Sequence, residues 1–548
     1  MNLTARRRLA VLAALALFAL LSSVGPAQAQ GVTTGALSGV VVDAQKAPVP
    51  GATVVAVHVP SGTRYEATTR ADGHFSLPGM RVGGPYTVTA TLSGFQPYAL
   101  KDVVVNLGVE AGLELVLGTA ALSEEVTVTA QTSEVFSAAR TGAATTVNRE
   151  ALQTLPTVRD RINDFARLSP QYTGGAFGGS FVGQDNRLNN ITIDGSYFNN
   201  SFGLGGQPGD RTGVTPVSSA AIEEIQVNVA PYDVRQGNFV GAGVNMITRS
   251  GGNQFRGSAY YWFRDNDLVG TEAKGLTYNP GTFDSRRFGG WASGPIIKDK
   301  LFFFGSIEDD KLTSPGTTFR ANTGGETVAG NVTRVLASDL DQLSSYLGSN
   351  FQYDTGPYQG YDFEVPARRY LGKLDYNLND RNKISVRYTQ LDSTTDQLVS
   401  DSSSLGFGSR RTRTTALNFA NSNYKILENI KSGVAEWNSI LGTNKSNSLI
   451  VGYTYQDESR ESVGEFFPMV DILNAGTVYT TFGFEPFTPN NELRYKTFQI
   501  QDSFTWNRGN HAFTFGATAQ RYKSENVFFP GSQSVYTYSS LADFYTDA

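Results

Sequence analysis

The chain has 548 residues, enough for several domains, and its formal net charge of -5 gives no reason to expect nucleic acid as a partner. It has no Cys, which excludes disulfides, thiolate metal sites and Cys nucleophiles; His58, His74 and His511 are too far apart in sequence for a local metal motif. A mean hydropathy of -0.24 with 58 Gly, 25 Tyr, 34 Phe and 17% charged residues excludes a chain rich in membrane helices and suits a membrane β-barrel, polar inside and apolar outside.

Arg6, Arg7 and Arg8 precede an apolar run from Leu9 to Leu21, and Ala27-Gln28-Ala29 follows as a small-residue cleavage signal. Residues 1–29 therefore read as a secretory signal peptide cut before Gln30. The run is short for a spanning helix, and no later stretch is apolar and long enough to be one. An exported chain of this kind is periplasmic, secreted or an outer-membrane barrel.

Over residues 31–118, short β-branched runs alternate with turn residues. Strands are expected at Leu37 to Val42, Thr53 to Val59, Tyr65 to Arg70, His74 to Leu77, Tyr86 to Leu92 and Leu113 to Leu117. Ala71-Asp72-Gly73 reads as a tight hairpin turn, because Asp-Gly tolerates positive φ. The order GxVxD, PxPGAxV, TxADGxFSLPG, YTVTATxSGF resembles the carboxypeptidase regulatory-like domain, a transthyretin-like β-sandwich. A zinc peptidase needs His and Glu ligands held close together, commonly as H-x-x-E. His58 is followed by Val-Pro-Ser, His74 by Phe-Ser-Leu and His511 by Ala-Phe-Thr, so no enzyme is expected.

Residues 119–135 form a linker that carries Glu125, Val126, Thr127, Val128, Thr129 and Ala130. The β-branched run favours extended backbone. Alone it fits either a last strand of the sandwich or a detached strand that pairs elsewhere.

Residues 136–252 predict a compact mixed α/β unit. Asn148 caps a helix over Arg149 to Thr154, and Thr157 caps a second over Val158 to Leu168. Strands are expected at Ile191 to Ile193, with the turn Asp194-Gly195, at Ile222 to Val229 and at Gly243 to Thr248. The glycine-rich run Gly174 to Gly183 has no Gly-Lys-Ser/Thr after it, so it reads as a loop rather than a phosphate cradle. In order, LQTLPTVRD, NNITIDG, AIEEIQV and GAGVNMITRSGGNQFRG resemble the plug of TonB-dependent receptors. VAPYDVRQGNFVGAGVN looks most like the Oar-like branch, which also carries the N-terminal sandwich; the long signature of SusC-like transporters is not seen. In this context Glu125 to Ala130 resembles the TonB box, a strand that pairs with the edge of a TonB sheet. Backbone bonds supply such pairing, so its sequence demands are loose.

From residue 253 to 548 the pattern is that of a barrel. Tyr370, Gly372, Leu374, Tyr376 and Leu378 share one face, and Lys373, Asp375 and Asn377 the other. After the turn Asn379 to Asn382, Ile384, Val386 and Tyr388 oppose Ser385, Arg387 and Thr389. Leu449, Val451, Tyr453 and Tyr455 form another such face. Phe498, Ile500, Phe504 and Trp506 oppose Gln499, Gln501, Ser503 and Thr505, with Asp502 interrupting the apolar face. Phe513, Phe515, Ala517 and Ala519 oppose Thr514, Gly516, Thr518 and Gln520. Tyr260 to Phe263 and Phe302 to Phe304 suggest interfacial aromatic girdles, and Asp392 to Thr415 an extracellular loop.

The expected fold is mainly β: a transthyretin-like sandwich, a mixed α/β plug and an incomplete antiparallel transmembrane barrel. A plugged barrel of this type has about 22 strands, and the residues after the plug suffice for roughly ten, so the chain is expected to be part of a longer protein or a truncated product. The resemblance implies an outer-membrane transporter whose sandwich and coupling segment face the periplasm. It also implies TonB and its inner-membrane energising complex as partners, membrane lipid around the barrel, an unknown substrate and no cofactor. The competing function is a non-transporting surface, adhesion or export-assembly protein.

Overall fold

The computed structural model describes residues 32–108, 110–118, 128–129 (backbone only), 144–157, 161–174, 179–200, 207–231, 233–508 and 511–547. The proposed signal peptide lies outside them.

The sandwich is built from β1 (Gly35–Asp43), β2 (Thr53–His58), β3 (Thr63–Thr68), β4 (His74–Met80), β5 (Gly83–Thr91), β6 (Tyr98–Val105) and β7 (Glu110–Leu117). One sheet has the order β4-β1-β7. The other runs β3-β2-β5-β6 and is continued by β8 (Val128–Thr129). Alternate residues turn inward from both sheets, so Leu37, Val54, Phe75, Tyr86, Val88 and Leu115 share one dry core. Strand β6 went unread in the sequence because Asp102, at φ 61°, adds a residue to it and breaks the period of two. Leu100, Val103 and Val105 are buried while Lys101, Asp102 and Val104 are exposed.

His58 sits in this sandwich with its ring 4.9 Å from that of Tyr86 and its Nδ1 2.7 Å from Ser61 Oγ. Burial, with a smaller contribution from Arg81, lowers its pKa to about 3, so the folded domain holds it neutral. The stability this gives is complete above the unfolded value near 6.5 and is lost as pH falls from there toward the folded value. Residues 31–118 expressed alone are expected to melt cooperatively, and about 5–10 °C lower at pH 5 than at pH 7. A non-cooperative melt would refute an independent domain; a melt unchanged across that range would refute the role of His58.

The plug contains β9 (Ala144–Val147), α1 (Arg149–Thr154), α2 (Ile162–Ala166), β10 (Asn190–Ile193), β11 (Ser196–Tyr197), β12 (Ile222–Asn228) and β13 (Gly243–Thr248), with sheet order β11-β10-β13-β12-β9. Helix α1 starts as read from the sequence: the Asn148 side chain accepts from Ala151 N–H at 3.0 Å. The second helix is shorter than expected. Its N-cap position is Arg161, not Thr157, and the Asp164 carboxylate accepts the Arg161 N–H at 3.1 Å. Among the described residues of this segment, Ile162, Phe165 and Ala166 reach the plug core, and one turn suffices to place them.

Nine long strands then follow one another as an antiparallel meander. They are β14 (Arg256–Asp265), β15 (Asp284–Ile297), β16 (Leu301–Pro315), β17 (Asp362–Asn379), β18 (Asn382–Gln397), β19 (Asn429–Ile440), β20 (Lys445–Asp457), β21 (Asn491–Arg508) and β22 (His511–Phe528). The alternation has a direct physical reading. Arg369, Leu371 and Lys373 of β17 are buried against the plug and Asp375 under the sandwich, while Leu374 and Leu378 are exposed on the outside. On β18, Arg387 and Thr389 face inward and Val386 and Tyr388 outward. Asp502 keeps the period: it lies on the outer face opposite Leu449 and accepts a hydrogen bond from Asn447 Nδ2 at 2.7 Å.

Two expectations are corrected here. Phe302 and Phe304 are not girdle residues, since both are buried on the inner face, Phe304 in the plug core and Phe302 under Arg81 of the sandwich. Residues Asp392 to Gln397 still belong to β18, so the loop after it is shorter than the polar composition suggested.

Among the described residues the meander is open, with β14 and β22 at its two edges. Unpaired strand edges in hydrocarbon cannot reach water. Reconstituted by itself, this chain is expected to lack heat-modifiable gel mobility and protease resistance. A heat-modifiable, protease-resistant monomer with β14 paired to β22 would overturn that expectation.

Short turns and long connections alternate along the meander. The sandwich lies at the short-turn end, where Asn377 Nδ2 donates to Thr63 Oγ1 at 3.0 Å and Asn253 N donates to the Pro60 carbonyl at 2.7 Å. At the other end the long connections fold into a cap with its own core of Val335, Leu340, Leu343, Leu347, Phe419, Ile472 and Phe482. Helix α3 (Ala337–Phe351) contributes Leu340, Leu343 and Leu347, at the spacing of one helical face. The guanidinium of Arg410 and the carboxylate of Asp471 pair in the cap at 2.8 Å, both wholly buried.

Candidate functional site at the plug and barrel contact

The motif Asn189 to Gly195 forms strand β10 and a two-residue turn in which Asp194 and Gly195 both take positive φ, 45° and 72°. Glycine is required at the second position twice over. Its φ disfavours a side chain, and a Cβ there would come within 2.8 Å of Ile450 on β20. The turn thus drives the plug backbone against the barrel wall. Gln499 of β21 donates to the Gly195 carbonyl at 2.6 Å and accepts from Tyr197 N–H at 2.7 Å. The Ser196 hydroxyl lies 3.0 Å from that of Ser432 on β19.

Asp194 itself is the anion of a buried charge cluster. Its carboxylate accepts from Thr248 N–H at 2.9 Å and stands 3.6 Å from Lys373 Nζ and 3.7 Å from Arg387 Nε. Burial alone would push the Asp194 carboxyl up, but Lys373, Arg387 and the Thr248 hydrogen bonds together hold it below the usual carboxylate range. Lys373 also donates to the Thr248 carbonyl at 3.1 Å, which ties β17 to the end of plug strand β13.

A second cluster fixes the opposite flank. Glu308 of β16 accepts from Arg369 Nη1 at 2.6 Å, Ser218 Oγ at 2.7 Å and Tyr260 Oη at 2.6 Å. Arg369 in turn donates to the Thr215 carbonyl in the plug at 2.7 Å. The guanidinium of Arg249 lies 3.7 Å above the Trp291 ring of β15. Plug Arg211 pairs with Glu458 at 3.1 Å toward the cap end.

The sandwich closes on the plug from the short-turn side. Leu107 N–H donates to Glu224 Oε1 at 2.8 Å, and the Leu107 carbonyl accepts from the Gln226 side chain. Val82, Leu107 and Ile247 form a small dry cluster across the same contact. Arg81 reaches Asp375 at 3.4 Å. A cavity of about 1250 Å³ remains between the sandwich and the barrel wall, with Ser38, His74 and Glu114 on one side and Gln501 and Thr505 on the other.

These contacts are ion pairs, hydrogen bonds and apolar packing that join plug, sandwich and barrel. No group of three or more His, Asp or Glu able to hold a metal occurs among the described residues. The sequence placed Lys373, Asp375 and Arg387 on the inner face correctly but missed their distant partners, Asp194 of the plug for Lys373 and Arg387 and Arg81 of the sandwich for Asp375. Of residues Glu125 to Ala130, read from the sequence as resembling a TonB box, only Val128 and Thr129 are described, and their backbone forms β8 beside β6.

Residues 247–548 match the family described as an outer membrane beta barrel domain, and residues 36–118 match the carboxypeptidase regulatory-like domain. The chain belongs to the outer-membrane β-barrel family. The TonB-dependent transporter Oar of Myxococcus xanthus is 24% identical over 368 residues, covering 63% of this chain and 32% of that relative. The family places the barrel in the outer membrane, and this distant likeness agrees with the resemblance to Oar-like TonB-dependent receptors read from the sequence. Among solved structures, the outer membrane transporter YddB from Escherichia coli aligns at TM-score 0.48 with 12% identity, over 70% of this chain and 48% of that one. The siderophore receptor PirA from Acinetobacter baumannii aligns at TM-score 0.44 with 15% identity, again over 70% and 48%. The chain thus spans about a third of the curated relative and about half of each of these structures.

Proposed function

We propose that the whole protein is a plug-gated transporter that moves a substrate across the outer membrane with energy delivered by TonB. On this reading residues 1–29 export the chain, 31–118 form a periplasmic sandwich and 119–135 carry the coupling strand. Residues 136–252 are the plug and 253–548 the N-terminal portion of the barrel. The observation that supports it best is the plug seated on the inner face of the barrel strands by charge pairs and hydrogen bonds around Asp194 and Glu308. Such contacts occlude the lumen and can be exchanged without breaking a covalent bond. A pull on Glu125 to Ala130 enters the chain just ahead of β9, the plug strand next to β12.

The test is Val126→Pro and Thr127→Pro in the full-length protein. Proline removes a backbone donor and fixes φ, which spoils strand addition. Binding of the TonB periplasmic domain is expected to fall about tenfold or more, with outer-membrane abundance unchanged. Normal TonB binding by both variants would refute the coupling assignment. Uptake that persists in the presence of a protonophore would refute energisation.

A further inference from the structure

A bare edge on the five-stranded sheet of the sandwich would invite strand pairing. That edge is β6, and the structure covers it with two residues of the coupling segment. Val128 lies opposite Leu100 and Thr129 opposite Lys101, parallel to β6. The pairing falls just before the extra residue at Asp102, where the β6 ladder loses register with β5. A bulge twists an edge and cuts short what can pair with it, so a dock at this place cannot run on past Asp102. Two residues past its end, β6 leads to Leu107, whose N–H and carbonyl are both held by plug strand β12. The surface that carries the coupling strand is therefore anchored to the plug.

We propose that the β6 edge of the sandwich is the resting dock of the coupling strand, and that TonB gains the strand by displacing it from this edge. The proposal rests on the coupling reading of Glu125 to Ala130. Its occupant is this chain's own strand, and its competitor is the edge of another sheet offering the same backbone bonds. Among the described residues the register is two residues long, and the bulge at Asp102 stops it from running further in that direction, so exchange is easy once a longer pairing is offered. The sandwich then acts as a keeper of the strand.

The test uses engineered disulfides in the full chain, which has no native Cys to interfere. Lys101→Cys with Thr129→Cys joins residues that face each other in the ladder. Val104→Cys with Thr129→Cys, displaced along β6 by about 10 Å, is the control. Under mild oxidation in outer membranes the first pair is expected to crosslink about tenfold faster than the control, and the oxidised protein to bind the TonB periplasmic domain about tenfold more weakly. Reductant should return binding to the level of the same variant never oxidised, whatever Thr129→Cys itself costs. Equal crosslinking of the two pairs would overturn the dock. Fast crosslinking with unchanged TonB binding would overturn displacement. Absence of TonB binding by the native protein would instead refute the coupling reading, and the crosslinking ratio would still decide the dock.

Discussion

Asp194→Ala is expected to weaken the seating of the plug by about 3–5 kcal/mol, because it leaves Lys373 and Arg387 buried without their anion. The readout is the urea concentration at which a protease first cuts the plug in outer membranes. Asp194→Asn, which keeps an acceptor for Thr248 N–H but not the charge, should fall between Ala and the native residue. The pH dependence follows from the depressed carboxyl. Its contribution is complete above the ordinary Asp range and is lost as pH falls through the native value. Native protein should therefore release the plug more readily in strong acid, and Asp194→Ala should show less of that acid response. An unchanged urea midpoint in Asp194→Ala would remove the cluster from any account of gating.

Asp471→Ala should act at the other end of the molecule with similar size. Arg410 and Asp471 are both 0% exposed, and the carboxylate also accepts from Phe407 N–H at 3.1 Å and Thr481 Oγ1 at 3.0 Å. Removing it strands a guanidinium inside the cap at a cost of about 3–5 kcal/mol. The cap should become open to protease on intact cells while the barrel strands stay protected. Arg410→Met combined with Asp471→Leu should recover much of the loss, since an apolar pair of similar volume needs no counter-charge. Equal protease resistance in Asp471→Ala and the native protein would show that the cap does not depend on this pair.

Much of the fold was legible in local pattern. Strict alternation over Tyr370 to Leu378 and Ile384 to Thr389 assigned the inner and outer faces of β17 and β18 correctly, because one face meets lipid and the other the plug. Asn148 gave the start of α1, and Asp194-Gly195 gave its turn, because each acts through its own neighbours. What local pattern could not show was the partner of a buried charge. Lys373 and Asp194 are far apart in sequence, and only the closed structure brings them together. Phe302 and Phe304 were misplaced for a related reason: an aromatic on the inner face and an aromatic beside lipid look alike in sequence. Helix α3 was a different failure. Leu340, Leu343 and Leu347 carried its signal, at the spacing of one helical face, in a stretch to which the sequence reading assigned no element.

The Asp194-Gly195 turn also constrains the order in which the molecule assembles. Gly195 bonds to Gln499, a partner 304 residues further along the chain, while every neighbouring pair in the meander is made of consecutive strands. Contacts of such long range form slowly, because a large loop must close before any bond is gained. The hairpins can zip early and in sequence, but the plug cannot reach its final seat until strand β21 has been synthesised and delivered. Until then its polar inner-face partners stand unpaired. A chaperone that shields the plug, or a membrane-insertion step that holds the growing sheet open around it, would act during this interval.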